Sequence, residues 1–152
     1  MTENDPVRMV DVTEKQEVLR VAEAKGCIVL QSSTVQAIRT GQTKKGDVLT
    51  IAEIAGIQAA KRTAEIIPLC HQIPLTSVQL AFEFGEDHVE ATCTVRARYA
   101  TGVEMEALLG VTVALLNIWD MVKYLEKDER GQYPNARLED IRVIRKEKIT
   151  NE

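Results

Sequence analysis

Apolar residues recur along this chain in several patterns, and each pattern predicts a type of element. Residues 14–25 show a helical stripe, with Thr13 placed as an N-cap and Gly26 as a stop. These signals predict an N-terminal helix. The short apolar run at residues 27–30 is typical of a buried strand.

Capping residues mark the helices that follow. Ser32 or Ser33 can cap a short helix that runs through Arg39. Asp47 can cap a longer helix that reaches about residue 66, because Pro68 is incompatible with its continuation.

Strict alternation of apolar and polar residues predicts a hairpin in the second half of the chain. Its arms cover residues 78–84 and 89–97, and a turn lies at residues 85–87. A long helix is predicted over residues 103–127 and a last strand around residues 141–144. The order of strands and helices predicts an α+β, ferredoxin-like βαββαβ fold. Its antiparallel sheet carries helices on one face, and the N-terminal helix precedes it.

Composition limits the class of protein. The 152 residues are 45% apolar with a net charge of -4, which predicts one domain over residues 13–152 behind a flexible tail at residues 1–12. The aromatic content of 4% and the acidic balance argue against a nucleic-acid partner. The longest uncharged run of the most apolar region, residues 107–119, is shorter than the roughly 20 residues of a membrane span. The three separated cysteines favour reduced thiols, so we expect a soluble cytoplasmic protein.

The long helix carries the first candidate chemistry. It is apolar on most of its circumference, so we expect another subunit to cover a second face. Asp120, Lys123 and Lys127 share one side of it, as an ordinary ion pair or as a proton-transfer pair. Because they interrupt the most apolar segment, we expect limited water around Asp120 and Lys123.

Weaker candidates lie elsewhere. Glu104 and Glu106 suit the positive end of a helix dipole, and we expect at most one of them to reach the same pocket. The turn that contains Lys45 is either a phosphate site before a helix or a solvated basic turn. His71 could bind phosphate or move a proton, whereas Cys70 lacks the surroundings of a cysteine hydrolase.

Six blocks of sequence together resemble the molybdenum cofactor biosynthesis protein C (MoaC) family. They occur in the order of the family, and the resemblance spans about residue 9 to residue 128. The blocks are MVDV at 9–12, KGDV at 45–48, AGIQAAKRT at 55–63, IPLCH at 67–71, TGVEMEAL at 101–108 and DMVK at 120–123.

The resemblance implies an activity and an assembly. It implies conversion of 3′,8-cyclo-7,8-dihydroguanosine 5′-triphosphate to cyclic pyranopterin monophosphate, with release of pyrophosphate. It also implies a ferredoxin-like fold and a homohexamer, a trimer of dimers, whose active sites lie at subunit interfaces. No metal or organic cofactor is implied.

The resemblance also assigns residues. The catalytic aspartate of the family falls on Asp120 and its catalytic lysine on Lys123. Substrate-binding positions fall on Leu69, Cys70, His71, Glu104, Met105, Lys45, Lys61, Arg62, Lys127 and, in the predicted first helix, Arg20. The Gly-Gly-Lys-Ser-Gly tail of many members is absent here, and basic residues of the last strand are the candidates to replace it.

Two rival functions remain open on the sequence. One is a non-catalytic module that binds a nucleotide as a regulator, and the other is an oligomeric interaction protein without a ligand. Asp120 favours the enzyme, because a carboxylate among lysines helps proton transfer and does not help to bind an anion.

Overall fold

Four antiparallel strands and four helices form two layers in the computed structural model, which describes residues 6–150. The sheet order is β2-β3-β1-β4, and every neighbouring pair is antiparallel. This confirms the predicted α+β fold with its βαββαβ order. The elements are β1 (Val18–Val29), α1 (Ser32–Arg39), α2 (Val48–Lys61), α3 (Thr63–Ile66), β2 (Ser77–Phe84), β3 (His88–Tyr99), α4 (Glu104–Glu126) and β4 (Arg137–Ile149).

The N-terminal helix predicted over residues 14–25 is wrong, because most of that segment belongs to β1. This strand lies inside the sheet and pairs with both β3 and β4. Its buried row contains the small residues Ala22, Ala24 and Gly26, which hide the alternation of a strand. Gly26 lies inside β1 and therefore stops no helix. A Cβ added to Gly26 would lie only 2.9 Å from Cδ1 of Leu115 in α4. Glycine therefore lets α4 pack closely on the centre of the sheet.

The capping predictions for α1 and α2 have opposite outcomes. The carboxylate of Asp47 accepts the N–H of Thr50 at 3.1 Å, which confirms the cap of α2. The serine cap predicted for α1 is wrong. Glu126, at the end of α4, instead accepts the N–H of Gln31 at 3.1 Å and the hydroxyl of Thr34. A side chain distant in sequence thus anchors the beginning of α1 without capping its first-turn N–H groups, and local spacing does not reveal this contact.

The helices α2 and α4 lie side by side and run in opposite directions. A Cβ added to Gly56 would lie 2.9 Å from the carbonyl oxygen of Gly110 and 3.2 Å from Cβ of Ala114, so small residues bring the two helices together. The beginning of α2 therefore lies beside the end of α4, and the end of α2 lies beside the beginning of α4. This antiparallel pairing decides which functional residues meet.

One face of α4 points away from the sheet. Its outer stripe consists of residues spaced three or four apart: Met105, Leu109, Thr112, Leu116, Asp120 and Lys123. Met105 is 43% exposed and Leu116 is 55% exposed. The helix is long and apolar enough to cross a membrane by length and composition, but half of its apolar window is buried as a core helix. The second apolar face predicted for this helix is present.

The chain before β1 contacts the segment between α3 and β2. The carbonyl oxygen of Val10 lies 2.6 Å from Nε2 of His71. Thr13 caps no helix, and its hydroxyl and amide both donate to the carboxylate of Asp11. Residues 1–5 of the predicted tail lie outside the described part of the chain.

Candidate active site

The predicted site residues form two groups, one at each end of α4. The C-terminal group consists of Asp120, Lys123, Lys127 and Lys45. Met105 and Asp120 are 15 positions apart, which corresponds to about 22 Å along a helix. One chain therefore does not bring all predicted residues around one small molecule. The N-terminal group consists of Lys61, Arg62, Leu69, Cys70, His71, Glu104, Met105 and, in addition, Glu106.

Asp120 lies between two ammonium groups in the C-terminal group. Nζ of Lys123 lies 3.1 Å from its Oδ1, and Nζ of Lys45 lies 3.6 Å from its Oδ2. Lys45 also donates to the backbone carbonyl of Asp120 at 3.2 Å. The hydrogen bond from Lys123 and the charge of Lys45 lower the pKa of Asp120. The carboxylate is therefore ionised at neutral pH and can accept a proton.

Solvent reaches this group freely in the single chain. The side chains of Asp120 and Lys123 are 54% and 43% exposed. The expectation that little water surrounds them is therefore wrong for the single chain. They lie on the outer stripe of α4, which no element of the described chain covers. Leu116 and Trp119 line an open pocket with them, so an apolar wall stands beside the ion pair.

Lys127 and Arg20 differ from their sequence interpretations. Lys127 is the C-cap of α4, and its backbone is extended rather than helical. This exposed residue therefore does not share a helix face with Asp120 and Lys123 as predicted. Arg20 lies in β1 rather than in a first helix, and it is buried. Its guanidinium donates to the carbonyl oxygens of Tyr99 and Ala100, at 3.5 and 3.2 Å. Arg20 therefore holds the turn behind the N-terminal group.

His71 is the centre of the N-terminal group. It lines a groove with Cys70 and Met105, and a neighbouring pocket with Lys61 and Arg62. Because a carbonyl only accepts, the 2.6 Å contact with Val10 makes Nε2 of His71 the donor. The antiparallel packing of α2 and α4 brings the cations at the end of α2 to the same place.

Two carboxylates of the N-terminal group occupy different environments. Glu106 is 4% exposed, and burial together with the charge of Glu104 raises its pKa. Partial burial is the largest single influence on Glu104 and acts against its charged form. The hydrogen bond and charge of Lys146, 2.8 Å away, together with a backbone hydrogen bond and the charge of Arg20, outweigh burial, so the pKa of Glu104 is lowered. Both line the same groove, so the expectation that only one would reach it is wrong. Glu104 reaches the groove because it begins the helix, where no preceding turn blocks it.

The three cysteines are free and poorly suited to nucleophilic attack. Burial raises the pKa of Cys70, and the charge of Glu106 adds to that effect. Burial raises the pKa of Cys27 to about 11 and that of Cys93 to about 12. Thiols rather than thiolates are therefore present at neutral pH.

Sequence reasoning weighed Glu106 but assigned only Glu104 to the site, and it did not identify Tyr124. The hydroxyl of Tyr124 accepts the backbone N–H of Lys44 at 2.9 Å, directly beside Lys45. Nothing in the sequence marks that contact, because 80 positions separate its partners. Among residues 6–150, no group of three or more histidine, cysteine or acidic side chains could hold a metal ion.

Comparison with known proteins gives a consistent match. A family model described as the MoaC family matches residues 9–148. Three curated archaeal proteins are similar to this chain, and each is named a probable cyclic pyranopterin monophosphate synthase. They come from Thermococcus onnurineus (63% identity over 93% of this chain and 91% of the relative), Pyrococcus abyssi (63%, over 92% and 88%) and Archaeoglobus fulgidus (54%, over 96% and 94%).

Proposed function

This chain belongs to the MoaC family, and from that premise we propose where its reaction takes place. Its function is that of a cyclic pyranopterin monophosphate synthase, a soluble lyase of molybdenum cofactor biosynthesis. The proposed reaction is conversion of 3′,8-cyclo-7,8-dihydroguanosine 5′-triphosphate to cyclic pyranopterin monophosphate, with release of pyrophosphate. The proposed location of the enzyme is the cytoplasm.

Asp120 and Lys123 are the proposed proton-transfer pair. The support is their geometry: an ionised carboxylate lies 3.1 Å from an ammonium and faces outward from α4. The carboxylate can accept a proton from the substrate while the ammonium can donate one. Lys45, 3.6 Å from the same carboxylate, is placed to neutralise charge that develops beside it.

The N-terminal group is the proposed binding region for the anionic substrate. A triphosphate needs several cations, and Lys61 and Arg62 at the end of α2 line one pocket, to which His71 adds a polar ring. Lys146 of β4 lies 2.8 Å from Glu104 at the first turn of α4, in keeping with the idea that basic residues of the last strand contribute to the site. Glu106 is buried and its pKa is raised, so its carboxyl holds a proton more readily than the exposed carboxyl of Asp120 does.

The separation of the two groups along α4 carries the central proposal, that one active site uses two copies of the chain. A two-fold axis near Thr112 would place two α4 helices antiparallel through their outer stripes. In that arrangement Leu109 faces Leu116 of the other copy, and Met105 faces the other copy's Asp120. Apolar residues then meet apolar residues, and each C-terminal group meets an N-terminal group.

Such a dimer also explains why Asp120 and Lys123, expected to be shielded from water, are exposed in the single chain. Packing a second copy over the outer stripe would enclose Asp120 and Lys123, and electrostatic interactions strengthen where water is excluded. Three such dimers form the proposed homohexamer. Exposed apolar residues away from the stripe, including Ile66 and Ile144, provide further surface for those contacts.

Mixing two impaired variants tests the shared site, at a substrate concentration far below the KM of His71→Ala so that each variant alone shows little activity. Asp120→Asn damages the C-terminal group, and His71→Ala damages the N-terminal group. If each site combines the two groups from different copies, half of the randomly mixed dimers contain one intact site. The mixture should then regain about a quarter of the wild-type rate of pyrophosphate release.

A second mixture provides the matched control. Asp120→Asn and Lys123→Ala both damage the C-terminal group, so every site in that mixture keeps a defect and no activity should return. If the mixture of Asp120→Asn with His71→Ala also stays inactive after subunit exchange has been verified, the shared site is wrong.

A further inference from the structure

The turn between α1 and α2 delivers Lys45 to Asp120, and local contacts fix its shape. The hydroxyl of Thr43 donates to the carbonyl oxygen of Gly46 at 2.7 Å. Gly46 has a φ of 107°, a conformation that glycine adopts without the cost of a side chain. These contacts shape the turn but do not join it to α4.

Tyr124 makes that connection. Its hydroxyl accepts the backbone N–H of Lys44 at 2.9 Å, and Nζ of Lys44 lies 4.9 Å from the centre of its ring. Tyr124 lies one helical turn after Asp120 and directly follows Lys123. The same side chain therefore joins the last turns of α4 to the residue next to Lys45.

The beginning of α1 is tied to the same region of α4. Glu126 is 1% exposed and accepts from Gln31 and Thr34, while the side-chain amide of Gln31 donates to the carbonyl oxygen of Leu125 at 3.4 Å. The segment that leads into the turn is thus held at its start by Glu126 and at its end by Tyr124. Its path along α4 leaves Lys45 little freedom in where it meets Asp120.

We propose that Tyr124 is a positioning residue that sets where the ammonium of Lys45 meets Asp120. The inference rests on the proposed function for its role in the reaction. An exposed ion pair is weak by itself, and the side chains of Lys45 and Asp120 are 46% and 54% exposed. The hydrogen bond from the backbone N–H of Lys44 to Tyr124 fixes the residue next to Lys45. It thereby limits the backbone conformations from which the ion pair of Lys45 with Asp120 forms.

Tyr124→Phe is the test variant, because it removes the acceptor hydroxyl and keeps the ring. Acetylation of Lys45 by a limiting amount of acetic anhydride, quantified by mass spectrometry, measures how often its amine leaves Asp120. The variant should increase labelling of Lys45 by about two- to fivefold, the range that corresponds to loss of an exposed ion pair. Tyr133→Phe is the matched control, because it removes a tyrosine hydroxyl from a ring that packs against Trp119, with ring centroids 5.3 Å apart, rather than against Lys44. It should leave this labelling unchanged.

Kinetics separate positioning from a general structural effect. Tyr124→Phe should lower kcat/KM by about two- to fivefold, the same factor as for labelling, and should cause no further loss in a Lys45→Met background. Unchanged labelling of Lys45, or losses that add fully in the double variant, would overturn the proposal. If labelling rises but Tyr124→Phe and Lys45→Met both keep wild-type kinetics, Tyr124 still positions Lys45, and the proposed function of Lys45 is wrong.

Discussion

The two ends of α4 place carboxylates in opposite environments. At the C-terminal end, Asp120 is open to solvent between Lys123 and Lys45, and its pKa is lowered. At the N-terminal end, Glu106 is buried, and its pKa is raised. Carboxyl groups whose surroundings separate their pKa values are typical of sites that divide acid and base roles. The carboxyl that gives up its proton more readily therefore lies at the C-terminal end of the helix, and the one that holds its proton more tightly lies at the N-terminal end.

The difference follows from which side of the helix each residue occupies. Glu106 belongs to the row of α4 that is buried against the chain, whereas Asp120 belongs to the outer stripe. A second copy packed on that stripe would therefore change the surroundings of Asp120 more than those of Glu106. The two ends differ most in the single chain and should become more alike in the proposed dimer.

The largest expected effect separates chemistry from binding at the two ends. Asp120→Asn keeps size and hydrogen bonding but cannot accept a proton, so kcat should fall by about 10²–10⁴. Substrate affinity should survive. His71→Ala, at the other end, should instead weaken affinity. Single-turnover rates and equilibrium binding of both variants measure the contrast, and normal turnover with lost binding in Asp120→Asn would reverse the assignment of the ends.

The next effect concerns the stripe that joins the ends. Leu116→Glu should dissociate the assembly, because burying an unpaired charge at an interface costs several kcal/mol. Activity should fall with dissociation, since each end loses its partner. Leu116 is 55% exposed in the single chain, so the fold should persist by circular dichroism. Sedimentation velocity measures the assembly, and Leu116→Ala is the control that should remain assembled. A fully active Leu116→Glu monomer would contradict the shared site.

The parts of the fold that sequence predicts are those with strong local signals. The hairpin of β2 and β3 alternates strictly, and Asp47 caps α2 within four residues, so both predictions are confirmed. The helix predicted in place of β1 fails because its buried row is small and its partners are distant in sequence. Local spacing contains no information about pairing with β3 and β4, which decides the outcome.

The site divides in the same way. Asp120 and Lys123 are one helical turn apart, so their contact is predictable from spacing. The contacts of Lys45 with Asp120 and of Lys44 with Tyr124 span 75 and 80 positions, and only the packing of α2 along α4 creates them. Burial of Glu106 is likewise a property of packing. The sequence therefore indicates candidate residues, whereas the fold determines which of them meet.

The smallest expected effect tests the cause of the low pKa at the C-terminal end. The ionised form of Asp120 carries its proposed activity, so that activity is present above its pKa and is lost as the pH falls through it. Lys123 is the larger cause of the lowered value and Lys45 the next, and both face Asp120. Lys45→Met removes one cause, so the pKa should rise and the acid limb of kcat at saturating substrate should move to higher pH. Lys44→Met removes a charge that lies over Tyr124 instead, and it should leave that limb in place. An acid limb that stays the same in Lys45→Met would show that Lys45 does not control the ionisation of Asp120, and the contrast between the two ends would then rest on Lys123 and burial alone.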